Sequence, residues 1–378
     1  MSDEKNYGES KAPGQRIFYL DLARAFAVVS ITFNHAMSRS FKIHEGTYEE
    51  FVSISHVTSF VKALLYVFSR LGVPLFLMIS GTLLLKRDYE DKKVLDRFIR
   101  HNWLGLLITT EIWLVIMFWY MQLMNGSVLR TEGILSALVS FVSTLFFVNQ
   151  VTMASMWYMP MILCVYLMLP IIAIALKRIS DKYVAVLCGF VLLSSMIVPN
   201  INTLLEGSGT GVFLDLVPTH TDLFSYFLTY VIAGYWISGG KLKKIKTWVL
   251  SAAFFVSFLG TTVFQYWTYS TPIDYAVRYA DIGVIAASCC LFEIIRRKAS
   301  AFEKLKGPVT TVSKCALGIY FIHICVMAGM NNVLDRVVKT EYLTKFVLIE
   351  TVAFAVSLFL VIITSKNKKL GKYLYLIK

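Results

Sequence analysis

The first long apolar segment carries three residues whose types could do chemistry, Asp21, Arg24 and His35. Arg24 and His35 are eleven positions apart, which at about 100° per residue places them on one helix face, roughly 16 Å apart along the axis. Asp21 precedes Arg24 by three positions and shares this face. Because an imidazole titrates near neutral pH, His35 is the strongest candidate for a general base. The alternative is an internal Asp21–Arg24 ion pair and an interfacial histidine without a chemical role.

Other apolar segments carry further candidates for the same site: Arg70, Ser80, Trp157, Tyr158, Arg278, Asp281, Tyr320 and His323. A charge near the bilayer centre costs about 2.5–3.5 kcal/mol on insertion scales, so its presence requires a reason. His323 lies roughly 21 Å from the inner end of its segment, close to the predicted level of His35. We expect Arg278 and Asp281 to lie inside the helix of segment 275–295. These residues together predict a polar vestibule in the outer half of the membrane, although the aromatic ones also fit an interfacial belt.

A basic stripe precedes the third apolar segment, where Lys93, Arg97 and Arg100 fall at helical positions i, i+4 and i+7. Arginine suits phosphate because its planar fork contacts two oxygens at once. The stripe therefore predicts a site for a phosphorylated cofactor at the membrane entrance. From spacing alone, charges that face lipid headgroups are an equally good interpretation.

The elements that position these residues are membrane helices. The 378 residues are 57% hydrophobic and 16% charged, against roughly a quarter charged in soluble domains, and the mean hydropathy is +0.63. An apolar chain in lipid satisfies the hydrogen bonds of its backbone N–H and C=O groups by forming α-helices. Eleven apolar segments are predicted, at 17–37, 59–85, 102–124, 134–150, 155–176, 182–199, 222–239, 247–267, 275–295, 309–330 and 342–364.

The distribution of Lys and Arg predicts the topology. The connections 86–101, 177–182, 240–246 and 296–308 are rich in these residues, as are both termini. These basic connections alternate with connections that are poor in Lys and Arg only if segment 134–150, the shortest, does not cross the membrane. The predicted fold class is therefore an all-α polytopic membrane protein. It has about ten transmembrane helices and one short re-entrant or interfacial helix, and both termini are cytoplasmic. This topology accounts for the net charge of +13, so nucleic-acid binding is not predicted.

The predicted domain organisation is simple. Residues 1–16 form a polar cytoplasmic segment without the apolar centre of a signal peptide, 17–364 form a single membrane domain, and 365–378 form a basic cytoplasmic tail. The six cysteines lie in apolar stretches without a CxxC pattern, so no metal site is predicted.

Five sequence stretches resemble the acyltransferase-3 family of bacterial membrane acyltransferases, of the stand-alone type. They are LDLARAFAVVSITFNH at 20–35, VPLFLMISGTLLL at 73–85, RFIR at 97–100, MWYMPMILCVYLMLP at 156–170 and SKCALGIYFIH at 313–323. Their order and spacing resemble the family over nearly the whole chain, and the arginine–histidine pair at 24 and 35 is the most specific part.

The resemblance implies transfer of an acyl group, usually acetyl, from cytoplasmic acyl-CoA to a hydroxyl of an extracytoplasmic glycan or lipid-linked sugar. It implies a bacterial cytoplasmic membrane, acetyl-CoA as donor and no metal. His35 is then the base or a covalent acyl carrier, and Arg24 holds a phosphate or the pantetheine arm. Tyr158, Tyr320, Ser80 or His323 would stabilise the oxyanion or relay the acyl group. The candidates for binding divide into a donor set (Arg24, Ser80, Lys93, Arg97, Arg100) and an acceptor set (Arg70, Trp157, Arg278, Asp281).

Two other functions compete with the enzyme. A transporter or flippase for a lipid-linked sugar or small anion would use the same buried charges as a pathway, without an acyl donor. A sensor or scaffold lacks a soluble domain through which to signal. The sequence leaves the acceptor and the oligomeric state open.

Overall fold

The computed structural model describes residues 16–125, 133–147, 156–207, 214, 226–337 and 342–377. These ranges are predominantly helical and contain no β-strand, which confirms the all-α class. The helices are α1 (Phe18–Ser40), α2 (Thr47–Ser53), α3 (His56–Ser69), α4 (Gly72–Leu84), α5 (Lys92–Phe98), α6 (Leu104–Asn125), α7 (Gly133–Leu145), α8 (Tyr158–Arg178), α9 (Asp181–Leu192), α10 (Val198–Gly207), α11 (Tyr226–Ser238), α12 (Thr247–Tyr269), α13 (Ile282–Lys298), α14 (Lys306–Val337), α15 (Tyr342–Ser365) and α16 (Lys368–Tyr375). π-Helical turns at Ile99–Trp103 and Leu193–Ile197 join α5 to α6 and α9 to α10, and a 3-10 segment, Ala299–Leu305, joins α13 to α14.

Membrane-spanning character is evident in several of these helices. Six described segments are long and apolar enough to cross a bilayer: His56–Leu84, Lys92–Tyr120, Tyr158–Arg178, Thr247–Tyr269, Ile282–Met330 and Tyr342–Ser365. Ile282–Met330 has 49 residues, more than twice the roughly 20 that one crossing needs, and the 3-10 segment interrupts it. The chain is thus a multi-pass membrane protein. The count of about ten crossings, the position of 134–150 and the cytoplasmic termini stay predictions.

Two predicted helix boundaries were wrong. Segment 59–85 is not one helix, because α3 ends at Ser69 and α4 begins at Gly72. Pro74 has no N–H to donate to the carbonyl four residues earlier, that of Arg70, which accounts for a break at this point. Segment 275–295 becomes helical only at Ile282, so Arg278 and Asp281 precede the helix instead of lying within it.

Ion pairs and hydrogen bonds bring the basic connections together at one end of the bundle, here called the basic end. The contacts are Lys177–Asp88 at 2.6 Å, Arg178–Glu90 at 2.7 Å, Lys241–Asp181, and Arg297 to the Leu242 carbonyl at 2.7 Å. Hydrogen bonds from Lys177 and Lys241 lower the pKa of Asp88 and Asp181, so both carboxylates stay charged near neutral pH. The clustering agrees with the charge pattern from which the topology was predicted.

Helices α4 and α11 pack closely through glycine. A Cβ added to Gly81 would lie 1.9 Å from the Val231 carbonyl oxygen, and one added to Gly234 would lie 2.1 Å from that of Met78. The Thr82 hydroxyl also donates to the Gly234 carbonyl at 3.0 Å. Small residues and hydroxyl bonds are the usual means of helix association in lipid, where apolar contact alone gives little preference. This seam places the Ser80 side of α4 against the rest of the bundle.

We predict that Gly234→Ala destabilises the protein by about 1–3 kcal/mol, because the added methyl group overpacks the α4–α11 seam. Thermal unfolding of the purified protein in detergent measures the loss. Gly260→Ala is the matched control, since no atom lies within 4 Å of its added Cβ and Ala favours a helix by up to about 1 kcal/mol. Equal melting temperatures for the two variants would contradict the close packing of α4 on α11 at Gly234.

Candidate active site

A cavity of about 650 Å³ lies among α1, α4, α6, α8, α14 and α16. Five of the sequence-predicted residues line it: Arg24, Ser80, Arg100, Tyr158 and Tyr320. The described part of its wall carries five cationic side chains and no Asp or Glu; the cations are Arg24, Arg87, Arg100, Lys314 and Lys372. A cleft with charges of one sign concentrates ligands of the opposite sign. The cavity is therefore suited to an anionic ligand.

Arg24 is held by a buried carboxylate that it shares with a second arginine. Its Nη1 lies 3.2 Å from Asp21 Oδ1 and 3.1 Å from Ser313 Oγ, which in turn donates to Asp21 at 2.8 Å. Arg16 makes two hydrogen bonds to Asp21, at 2.6 and 3.0 Å. The predicted Asp21–Arg24 pair is thus present, but two guanidinium groups share one carboxylate. The cluster keeps a net positive charge beside the cavity, and Arg24 retains N–H donors for a ligand.

Two tyrosines form the part of the wall that leads toward the histidines. The rings of Tyr158 on α8 and Tyr320 on α14 lie 5.9 Å apart between centroids, and both line the cavity. The ring of Tyr320 is 6.1 Å from that of His323. His35 and His323 do not line the cavity. Tyr320 therefore connects the cavity, which it lines together with Tyr158, to His323.

His35 on α1 and His323 on α14 lie side by side, with ring centroids 5.1 Å apart. His323 is fully buried, and its Nδ1 is 2.8 Å from the Ile319 carbonyl oxygen. Because a carbonyl only accepts, Nδ1 carries the proton and Nε2 is left as an acceptor. That Nε2 has no hydrogen-bond partner among the described residues. The two histidines, which the sequence places at a similar depth, are neighbours in the structure.

Arg70 and Trp157, both predicted to bind the acceptor, contribute to one aromatic cluster beyond Tyr158. Arg70 donates to the Tyr66 hydroxyl, and its guanidinium lies 4.3 Å from the Tyr66 ring centroid and 5.0 Å from that of Tyr279. Trp157 packs on Tyr279 at 5.5 Å. Aromatic faces stabilise a cation in an apolar environment, which explains how Arg70 is accommodated here.

Asp281 is also predicted to bind the acceptor, but its carboxylate is engaged in hydrogen bonds with other residues of the protein. It is 2% exposed and accepts from the Tyr275 hydroxyl at 2.6 Å, from Asn200 Nδ2 at 2.7 Å and from the Arg278 backbone N–H at 2.6 Å. These bonds fix the non-helical chain before α13. The geometry favours a structural role for Asp281. The half-exposed Arg278 side chain, 3.7 Å from Asp281, remains available to a ligand.

The predicted basic stripe is only partly at the cavity. Arg100 lines it, whereas Lys93 and Arg97 are exposed on α5 and do not. The π-helical turn that starts at Ile99 inserts an extra residue, so residues before and within it do not share the face that a regular helix gives. Arg87, Lys314 and Lys372 line the cavity and were missed. Lys314 lies within the quoted motif at 313–323 and Arg87 lies two residues after the one at 73–85, but nothing in the sequence indicated that Lys372 would reach this site.

The described residues contain no group of three His, Cys, Asp or Glu side chains that could hold a metal ion.

The family model for an acyltransferase domain matches residues 17–366. The chain belongs to the acyltransferase-3 family. No curated protein and no solved structure matches it. The family match includes α1 to α15 entirely and ends before α16. Membership of this family gives the protein its general reaction class, acyl transfer. The matched range contains the tyrosine pair and both histidines.

We predict that Asp281→Ala lowers the stability of the acyltransferase by roughly 3 kcal/mol, since the Tyr275 hydroxyl and the Arg278 backbone N–H lose their acceptor at about 1–3 kcal/mol each, while Asn200 Nδ2 keeps a bond to the Tyr275 hydroxyl. The melting temperature in detergent measures this. Asp274→Ala, at an exposed position in the same segment, should leave it unchanged. Arg278→Ala should also melt like wild type. If Asp281→Ala melts like wild type but loses activity, Asp281 binds the acceptor and the structural role is wrong.

Proposed function

We propose that this acyltransferase takes an acyl group, predicted to be acetyl, from acyl-CoA at the basic end. It then transfers the group to a hydroxyl of a glycan or lipid-linked sugar that enters from the opposite end. The observation that carries the proposal is the cavity itself, which is lined by cations without a carboxylate and leads to the Tyr158–Tyr320 pair. We further propose that the basic end faces the cytoplasm of a bacterial cell, in agreement with the positive-inside rule.

The donor fits this cavity by charge and by shape. Coenzyme A carries several phosphates at one end and a slender, uncharged pantetheine arm at the other. Arg87, Arg100 and Lys314 would hold phosphate oxygens, because charge-assisted hydrogen bonds are the strong ones. Arg24 lies deeper and would orient the arm, so that the thioester reaches Tyr158 and Tyr320.

The transfer step follows from the side chains around the thioester. His35 accepts the proton of the acceptor hydroxyl while the oxygen of that hydroxyl attacks the thioester carbonyl carbon. The Tyr158 and Tyr320 hydroxyls donate to the oxyanion that forms. When the intermediate collapses, the carbon–sulfur bond breaks and the thiolate leaves with the proton from His35. The buried His323 ring packs against His35, and its Nε2 is a second proton acceptor beside the base.

We predict that His35→Ala lowers acyl transfer at least 100-fold, since general-base catalysis contributes about 10²–10⁴. It should leave acetyl-CoA binding intact, because His35 does not line the cavity. The measurements are the acyl content of the host's glycans by mass spectrometry in a deletion strain complemented by each variant, and radiolabelled acetyl-CoA binding to the purified protein. His44→Ala, at an exposed position, is the matched control.

Two results would contradict the proposal. Full glycan acylation by His35→Ala at normal protein abundance would exclude His35 as the base. Failure of the wild-type protein to bind acetyl-CoA at millimolar concentration would favour the transporter, which needs no acyl donor.

A further inference from the structure

Helix α16 lies outside the range matched by the family, yet it forms one wall of the cavity. The family match ends at residue 366, and α16 spans Lys368–Tyr375. Lys372, Tyr373, Tyr375 and Leu376 line the cavity. From the sequence, this segment is predicted only as a basic tail. It is instead the part of the site that the family pattern does not account for.

Side chains of the family-matched region hold α16 in place through hydrogen bonds to its carbonyl groups. The Thr109 hydroxyl donates to the Tyr373 carbonyl at 2.9 Å, and Trp113 Nε1 donates to the Leu374 carbonyl at 2.8 Å. The last carbonyls of a helix have no partner within the helix, so these two donors complete its C-terminal end. The Tyr375 hydroxyl also lies 2.9 Å from the Thr364 hydroxyl on α15.

The surface that receives Tyr375 is shaped for it. A Cβ added to Gly318 on α14 would lie 2.8 Å from Tyr375 Cδ1, so a larger residue at 318 would exclude the ring. Trp113 stacks on Phe321 at 5.0 Å and lies 6.2 Å from Tyr375. Tyr375 is 4% exposed as a result. An amphipathic helix that served as a lipid anchor would turn this face toward the bilayer. Here the protein buries it.

The exposed side chains of α16 present a cation and an aromatic ring at the cavity. Lys372 and Tyr373 are both exposed, and Lys372 Nζ lies 5.1 Å from the Tyr373 ring centroid. An ammonium group pairs with phosphate as a point charge, and an aromatic face stacks on nucleobases of any kind. A phosphate beside a purine is the chemistry of a nucleotide.

We propose that α16 binds the nucleotide end of the donor, with Lys372 on a phosphate and Tyr373 stacked on adenine. The proposal rests on the use of acyl-CoA proposed above and assigns the donor specificity of that site to this helix. The pantetheine arm and some of the phosphates contact the family-matched helices, and α16 adds Lys372 and Tyr373 at the nucleotide end.

The test compares two donors on the purified, full-length protein. Lys372→Ala should weaken acetyl-CoA binding about tenfold, as expected for one charge-assisted contact to phosphate. Tyr373→Ala should weaken it by a similar factor through lost stacking, and Tyr373→Phe should restore it. Lys369→Ala is the matched control, because Lys369 is exposed on the same helix and does not line the cavity. It should bind acetyl-CoA like wild type.

Acetyl-pantetheine, which lacks the nucleotide, separates binding from a structural effect. Lys372→Ala and Tyr373→Ala should transfer acetyl groups from it at the wild-type rate, with an unchanged melting temperature. Equal losses with both donors, or no loss with acetyl-CoA, would overturn the role of α16 while acyl-CoA use stands. Absence of acetyl-CoA binding by the wild-type protein would overturn acyl-CoA use, and the role of α16 with it.

Discussion

Helices α1 and α14 meet through polar side chains at two levels, and the arrangement of the site depends on this pairing. At the first level Arg24 hydrogen-bonds Ser313, and at the second the His35 ring lies against His323. The intervals are eleven residues on α1 and ten on α14, which correspond to nearly equal rises along parallel helices. One register therefore satisfies both contacts. In lipid, where apolar packing alone distinguishes registers poorly, such contacts specify how far one helix slides along the other.

The charges at the first level, around Arg24 and Asp21, have to meet two opposing requirements. A buried arginine needs a partner, but a carboxylate that served Arg24 alone would cancel the charge that a ligand requires. Asp21 serves two arginines, and its shorter bonds go to Arg16. Arg24 is thereby fixed in position while the cluster stays positive. No carboxylate lines the described wall of the cavity, so this charge acts on whatever enters.

The sequence predicted the membrane class and most helix positions, because apolar runs and charged connections are local features. It also identified Arg24, Tyr158 and Tyr320, whose polarity is costly in lipid and therefore informative. It failed where distant parts of the chain decide the outcome. Lys372 reaches the cavity only because Thr109 and Trp113, more than 250 residues earlier, hold α16 in place. Asp281 looked like a ligand-binding carboxylate, and its structural role depends in part on Asn200, 81 residues away, whose position the sequence did not reveal.

The tyrosine pair is the point at which the two substrates of the proposed reaction would meet. In the proposed reaction, the thioester carbonyl reaches Tyr158 and Tyr320 from the cavity, and the acceptor hydroxyl reaches His35 from beyond them. Proton donors for the oxyanion then lie on the donor side, and the base lies on the acceptor side. Attack on a carbonyl requires this arrangement, since the oxyanion and the attacking hydroxyl occupy different positions around the carbon. In this proposal the acyl group alone has to pass the tyrosines, and the donor and the acceptor stay on opposite sides of them.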